Sequence, residues 1–224
     1  MCLHGGGSNA DVMAYQLRHL MDALEGRASF RFVDGELDWT DSPDTSIPER
    51  LLEKPLKGWY HVLSDLTGDS PSQDELTNAD AHFTYDNVYP ALDRIRNILS
   101  SEGPFDIIIG FSQGSTLATM LMATEHCQPP PKCALLFSGM PPRDSRYVPK
   151  NKLTVPCVLV YGRRDPMETV CKTLSEYFDR PLTVTHSGGH ELPKLDICQA
   201  IGTLLIKLVS NTANITRTPV SQRT

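Results

Sequence analysis

Gly110-Phe111-Ser112-Gln113-Gly114 follows the apolar run Ile107-Ile108-Ile109 and precedes a helical pattern from Thr116 to Glu125. A G-x-S-x-G between a strand and a helix marks a sharp turn that lifts the serine oxygen clear of the backbone. Its glycines let neighbouring chain segments pass where a side chain would collide. The start of the following helix then faces any negative charge that develops at the serine. At ordinary glycine and serine frequencies a chain of this size carries such a pentapeptide by chance about one time in ten. The strand before it and the helix after it make the match specific.

Outward from this turn, short apolar runs alternate with helical patterns, as in a parallel sheet covered on both faces. Phe30 to Val33, Ile107 to Ile109, Ala134 to Phe137, Val155 to Tyr161 and Leu182 to Thr185 read as strands. Met13, Leu17, Leu20, Met21 and Leu24 recur at helical spacing between the capping residues Ser8 and Asn9 and the terminating Gly26. Val88, Leu92, Ile95 and Leu99 mark a second helix, and Ile197, Ile201, Leu204, Leu205 and Leu208 the last. The expected fold is a single-domain α/β hydrolase over residues 1–209, with a mostly parallel sheet and helices on both faces. Residues from about 38 to 82 are polar apart from Leu56-Lys57-Gly58-Trp59-Tyr60, and are expected to form a lid-like insertion. A disordered tail is expected over 210–224.

A serine hydroxyl is a weak nucleophile until a base takes its proton, and the base needs a carboxylate to fix its tautomer. In this fold the chain order is Ser, acid, His. Only His186 and His190 follow both the serine and a later strand; His186 reads as a strand end, and His190 lies in the loop Ser187-Gly188-Gly189-His190. His190 is therefore the expected base. Asp165 stands just past the apolar run that ends at Tyr161, where ligand-facing residues of open α/β sheets gather. It is preferred over Glu168 and Asp179, which fall on or after the next helix. The expected oxyanion donors are the backbone N–H groups of Gln113, next to the serine, and Gly6, in the turn Leu3-His4-Gly5-Gly6-Gly7. His4 reads as a brace for that turn. Trp59 and Tyr60 are expected to wall a substrate pocket for apolar acyl chains of medium length, with a core anchor as the equal alternative for Trp59.

The net charge of −6 offers no basic stripe for nucleic acid or an anionic membrane. The six cysteines form no C-x-x-C pair, and no signal peptide or membrane-length apolar run is visible. These features point to free thiols in a reducing, cytoplasmic setting. No metal or organic cofactor is implied, and Asn214-Ile215-Thr216 has no meaning as a glycosylation acceptor without secretion.

With Cys2-Leu3-His4-Gly5, Phe30-Arg31-Phe32-Val33-Asp34-Gly35, Gly103-Pro104-Phe105-Asp106, the Gly110–Gly114 block, Phe137-Ser138-Gly139, Gly162 to Asp165 and Gly188-Gly189-His190, the chain resembles the FSH-type serine hydrolases. That family includes fungal enzymes, an ovarian-cancer-associated human homologue and thioesterases that release polyketides. The resemblance implies Ser112, Asp165 and His190 as a triad acting on esters or thioesters, either free or bound to a carrier protein. Members usually have several strand residues before Leu-His-Gly, where this sequence has Met1 and Cys2, so a truncated first strand is expected. Two rival functions use the same fold: acyl transfer to an alcohol or amine, and a ligand-binding module without catalysis.

Overall fold

The computed structural model describes residues 1–39, 47–124 and 127–215, with the backbone alone for 212–215. Its frame is a six-stranded, wholly parallel sheet made of β1 (Cys2–Leu3), β2 (Phe32–Val33), β7 (Ile107–Phe111), β8 (Cys133–Phe137), β9 (Cys157–Gly162) and β10 (Leu182–His186). The spatial order is β10-β9-β8-β7-β1-β2. This is the α/β-hydrolase architecture expected from the alternation. The first strand spans only two residues, but it pairs on both edges, Cys2 with Phe32 and Ile109, and Leu3 with Val33 and Gly110.

Alternate residues of each strand feed opposite layers, as a period of two requires. Ile109, Phe111, Leu135, Phe137, Val158 and Val160 face α1 (Ala10–Ala23) and α6 (Leu195–Ile215), meeting Met13, Leu17, Leu20, Ile201 and Leu205. Ile108, Ala134, Leu136 and Leu159 face the other layer, which holds α3 (Val88–Glu102) and α4 (Gln113–Met122) and contributes Leu92, Ile95, Leu117 and Leu121. Asn9 caps α1, its side chain accepting from the Val12 N–H at 2.9 Å. On the sheet's flank α5 (Glu168–Thr173) follows β9.

The polar insertion carries more order than its composition suggests. It contains β3 (Leu37–Asp38), β4 (Lys57–Gly58), β5 (His61–Ser64) and α2 (Gln73–Thr77), and β6 (Phe83–Asp86) follows it. Antiparallel pairing joins β3 to β4 and β5 to β6. A strap after β8 fastens this region: Phe83 N–H donates to Arg143 O at 3.1 Å, Tyr85 N–H to the Asp144 carboxylate at 2.7 Å, and the Arg143 guanidinium to Asn78 O at 2.9 Å. Residues 40–46 of the expected lid lie outside the described residues.

The last helix extends into the segment expected as a tail, since α6 runs on to Ile215. No glycine or proline interrupts Ser210 to Ile215, so nothing in the sequence stops the helix there. Residues 216–224 lie outside the described residues. Among the described residues no helix is long and apolar enough to cross a membrane.

Candidate active site

Strand β7 ends at Phe111, and Ser112 turns the chain into α4 with φ 50° and ψ −117°. A non-glycine residue there is strained by about 1–3 kcal/mol, so the surroundings must hold it. Ser112 N–H donates to Phe137 O at 2.9 Å, and Ser115 Oγ donates to the same carbonyl at 3.0 Å. Both glycines of the pentapeptide are sterically required. A Cβ on Gly110 would stand 2.6 Å from Ser115 N, and one on Gly114 would stand 2.3 Å from Leu3 O. The strand-to-helix turn therefore closes only because β1 can run directly past it.

The His190 loop leaves β10 and crosses the end of β9, where a Cβ on Gly162 would lie 2.3 Å from both Gly188 O and Gly189 O. The loop is tied down: Arg163 N–H donates to His186 O at 2.8 Å, Arg164 N–H to Gly188 O at 2.9 Å, and Arg164 Nε to Ser187 O at 2.7 Å. This fixed course brings His190 Nε2 to 3.0 Å from Ser112 Oγ and His190 Nδ1 to 2.9 Å from Asp165 Oδ2. The Phe111 ring lies beside the imidazole at 5.2 Å between centroids.

Asp165 is buried, and its Oδ1 accepts from Met167 N–H at 2.8 Å. Burial opposes its ionisation, yet the His190 ring, the Met167 N–H and the nearby Ser138 hydroxyl outweigh it and hold the carboxyl below its ordinary value. The Ser138 Oγ acts from outside full hydrogen-bond geometry. The two rival carboxylates sit elsewhere, Glu168 paired with Lys172 at 3.0 Å and Asp179 with Arg180 at 3.5 Å. His186 ends β10 and accepts from Gly188 N–H at 3.1 Å.

The glycine turn after β1 lies against the serine. A Cβ on Gly5 would be 3.4 Å from Ser112 Cβ, and one on Gly6 would be 3.4 Å from Gln113 Oε1. His4 braces the turn from the core, as its sequence position suggested. Its Nε2 accepts from Gly35 N–H at 2.9 Å, so the proton sits on Nδ1, which donates to Gly5 O at 2.6 Å. Burial pushes the His4 pKa down, and the ring stays neutral.

Trp59 and Tyr60 do not form an open wall: they are 2% and 3% exposed. The Trp59 indole N–H donates to His4 O at 2.8 Å, and its backbone N–H donates to Gln113 Oε1 at 2.9 Å. Gln113 Nε2 donates in turn to Tyr60 O at 2.8 Å. The apolar island is thus a core anchor, because its polar groups find their partners inside the protein. Phe111 packs beside Gly5, and Trp39, half-buried just after β3, packs beside Gly6 and Gly7. Sequence reasoning passed over Trp39 because it stands alone in a polar stretch without periodicity.

A family model described as serine hydrolase (FSH1) matches residues 1–199. Esterase FPY3 of Fusarium mangiferae is 25% identical over 236 residues, covering 93% of this chain and 97% of that protein. Esterase OVCA2 of Bos taurus is 35% identical over 210 residues, covering 86% of this chain and 88% of the relative. Among solved structures, Arabidopsis thaliana SOBER1 superposes with a TM-score of 0.61 at 15% identity, covering 93% of this chain and 97% of that one.

Proposed function

The chain belongs to the FSH1 family of serine hydrolases, and from that premise we propose that it cleaves carboxylic esters or thioesters through an acyl-enzyme on Ser112. The observation that carries this reading is the unbroken contact chain from Ser112 Oγ to His190 at 3.0 Å and from His190 to Asp165 at 2.9 Å. Asp165 accepts a hydrogen bond from Nδ1–H and keeps that proton on the ring, which leaves the Nε2 lone pair free to take the serine proton. As that proton moves, Oγ bonds the acyl carbon and the carbonyl electrons move onto oxygen. Backbone N–H groups of Gly6 and Gln113 receive the oxyanion, at the N-terminus of α4. The imidazolium then gives its proton to the departing alcohol or thiol. A water molecule, deprotonated by the same ring, releases the acid and restores Ser112.

On this reading residues 1–209 act as one catalytic domain. Six buried free thiols favour a reducing compartment. A role in releasing carrier-bound acyl groups requires thioester turnover to exceed that of the matched oxygen ester, which a paired substrate series measures. The primary test is labelling by a fluorophosphonate probe. Wild-type protein should label at Ser112 and Ser112→Ala should not. Undiminished labelling and turnover in Ser112→Ala would overturn the assignment.

A further inference from the structure

Trp39 leaves β3 through a backbone hydrogen bond to Leu56 O at 2.9 Å, beside the Asp38–Lys57 ion pair at 2.6 Å. Its indole fills room that exists only because three neighbours lack side chains. A Cβ on Gly6 would lie 3.1 Å from Cη2 and Cζ3, one on Gly7 would lie 2.9 Å from Nε1, and one on Gly58 would lie 3.0 Å from Cε3. The same Cβ positions on Gly6 and Gly58 stand 3.4 and 3.5 Å from Gln113 Oε1, the side chain of the residue after the serine. The ring therefore packs directly on the turn that flanks Ser112.

Two tryptophans occur in the chain, and they are used differently. Trp59 is enclosed and donates its indole N–H within the core. Trp39 remains half-buried, although burying an aromatic face is favourable. An indole that packs on the backbone glycines of the turn flanking Ser112 and is not fully enclosed is suited to receive a flat apolar group. We propose that Trp39 is a specificity-determining residue, forming the substrate wall next to the oxyanion turn and favouring aromatic or conjugated acyl groups over acetyl. This rests on the hydrolase reading of Ser112 and names the substrate class of that site.

The test separates the two ideas. In the full chain carrying Ser112→Ala, which binds without turnover, a benzoyl ester should change tryptophan emission saturably and an acetyl ester should not. Adding Trp39→Leu should abolish the change. In the otherwise wild-type chain, Trp39→Leu should lower the ratio of kcat/KM for a benzoyl ester to that for an acetyl ester about tenfold, and Trp39→Phe should restore most of that ratio. Equal losses on both substrates, or a benzoyl ester that leaves the emission unchanged, would overturn the wall and reduce the indole to a prop for the glycine turn. Should Trp39→Leu fail to fold, the emission titration and Trp39→Phe still decide. Fluorophosphonate labelling of wild-type protein reads Ser112 independently, so its failure would count against the hydrolase reading instead.

Discussion

Gly114 lies so close beneath Leu3 that a Cβ on it would stand 2.3 Å from the Leu3 carbonyl oxygen and 2.5 Å from that of His4. Both obstacles are backbone, Leu3 held by β1 pairing on two sides and His4 O by the Trp59 indole N–H, so neither can turn aside cheaply. Gly114→Ala should therefore destabilise the protein by about 1–3 kcal/mol, as overpacking does. It should also slow probe labelling, because the oxyanion turn shifts with β1. Gly202→Ala is the contrasting case: its new Cβ meets nothing nearer than 3.5 Å inside α6 and should be neutral or stabilising by up to about 1 kcal/mol. Paired denaturant melts measure both, and equal effects would refute the steric account.

Asp165→Asn keeps the shape of a side chain that accepts from Met167 N–H at 2.8 Å, so the fold should survive. An amide facing Nδ1 can donate to it, which moves the ring proton to Nε2 and leaves no lone pair for Ser112. Turnover should fall about 10⁴-fold, the size of a tautomer defect. Glu168→Gln and Asp179→Asn, whose carboxylates pair with Lys172 and Arg180, should stay within a few-fold of wild type. A near-normal rate in Asp165→Asn would move the acid elsewhere.

Stability should fall as pH drops from neutral, and His4 should be one cause. Burial lowers its folded pKa below the ordinary value of 6.5, and the same cause acts on His186. As pH falls below that ordinary value the unfolded chain takes up protons that the folded chain refuses, so stability is present above it and lost towards the folded pKa. Asp165 has a lowered carboxyl pKa, and its contribution disappears only below its unfolded value of about 3.8. Each titrating histidine can contribute a slope of up to about 1.4 kcal/mol per pH unit. His4→Gln should be less stable at neutral pH and show a shallower loss between pH 7 and 5. Parallel curves for the two proteins would assign the slope to other groups.

The parts of the molecule legible in sequence are those where one residue type answers one physical demand. Gly110 and Gly114 announce a turn crossed by another strand, and Asp165 follows the last apolar residues of β9 at the sheet edge where ligands gather. Trp59 was ambiguous because composition shows an aromatic residue in a polar stretch but not which way it faces; its hydrogen bonds to His4 and Gln113 settle that only in three dimensions. Trp39 was invisible for a related reason: its neighbours Gly6, Gly7 and Gly58 come from two distant segments, and their shared lack of a side chain has meaning only once they meet. The short β1 was legible, but its double pairing was not, since register between parallel strands leaves no local mark.

Gln113 offers a way to separate structure from chemistry at the same residue. Its backbone N–H is the proposed oxyanion donor, while its side-chain amide clamps the anchor segment, accepting from Trp59 N–H at 2.9 Å and donating to Tyr60 O at 2.8 Å. Gln113→Glu keeps the size and the acceptor but replaces the donor with a carboxylate oxygen facing a buried carbonyl. The two oxygens cannot bond unless the acid takes a proton, so the variant should lose about 1–3 kcal/mol at neutral pH and recover part of that loss as the pH falls towards the carboxyl's raised pKa. That direction is opposite to the loss expected of the wild type on acidification. The backbone N–H is untouched, so labelling of Ser112 should persist at temperatures where the variant is folded. Denaturant melts at several pH values, with labelling at each, test both halves. A stability difference that does not change with pH would show that the carboxylate escapes to solvent, and a folded variant that no longer labels would place the side chain itself in the chemistry.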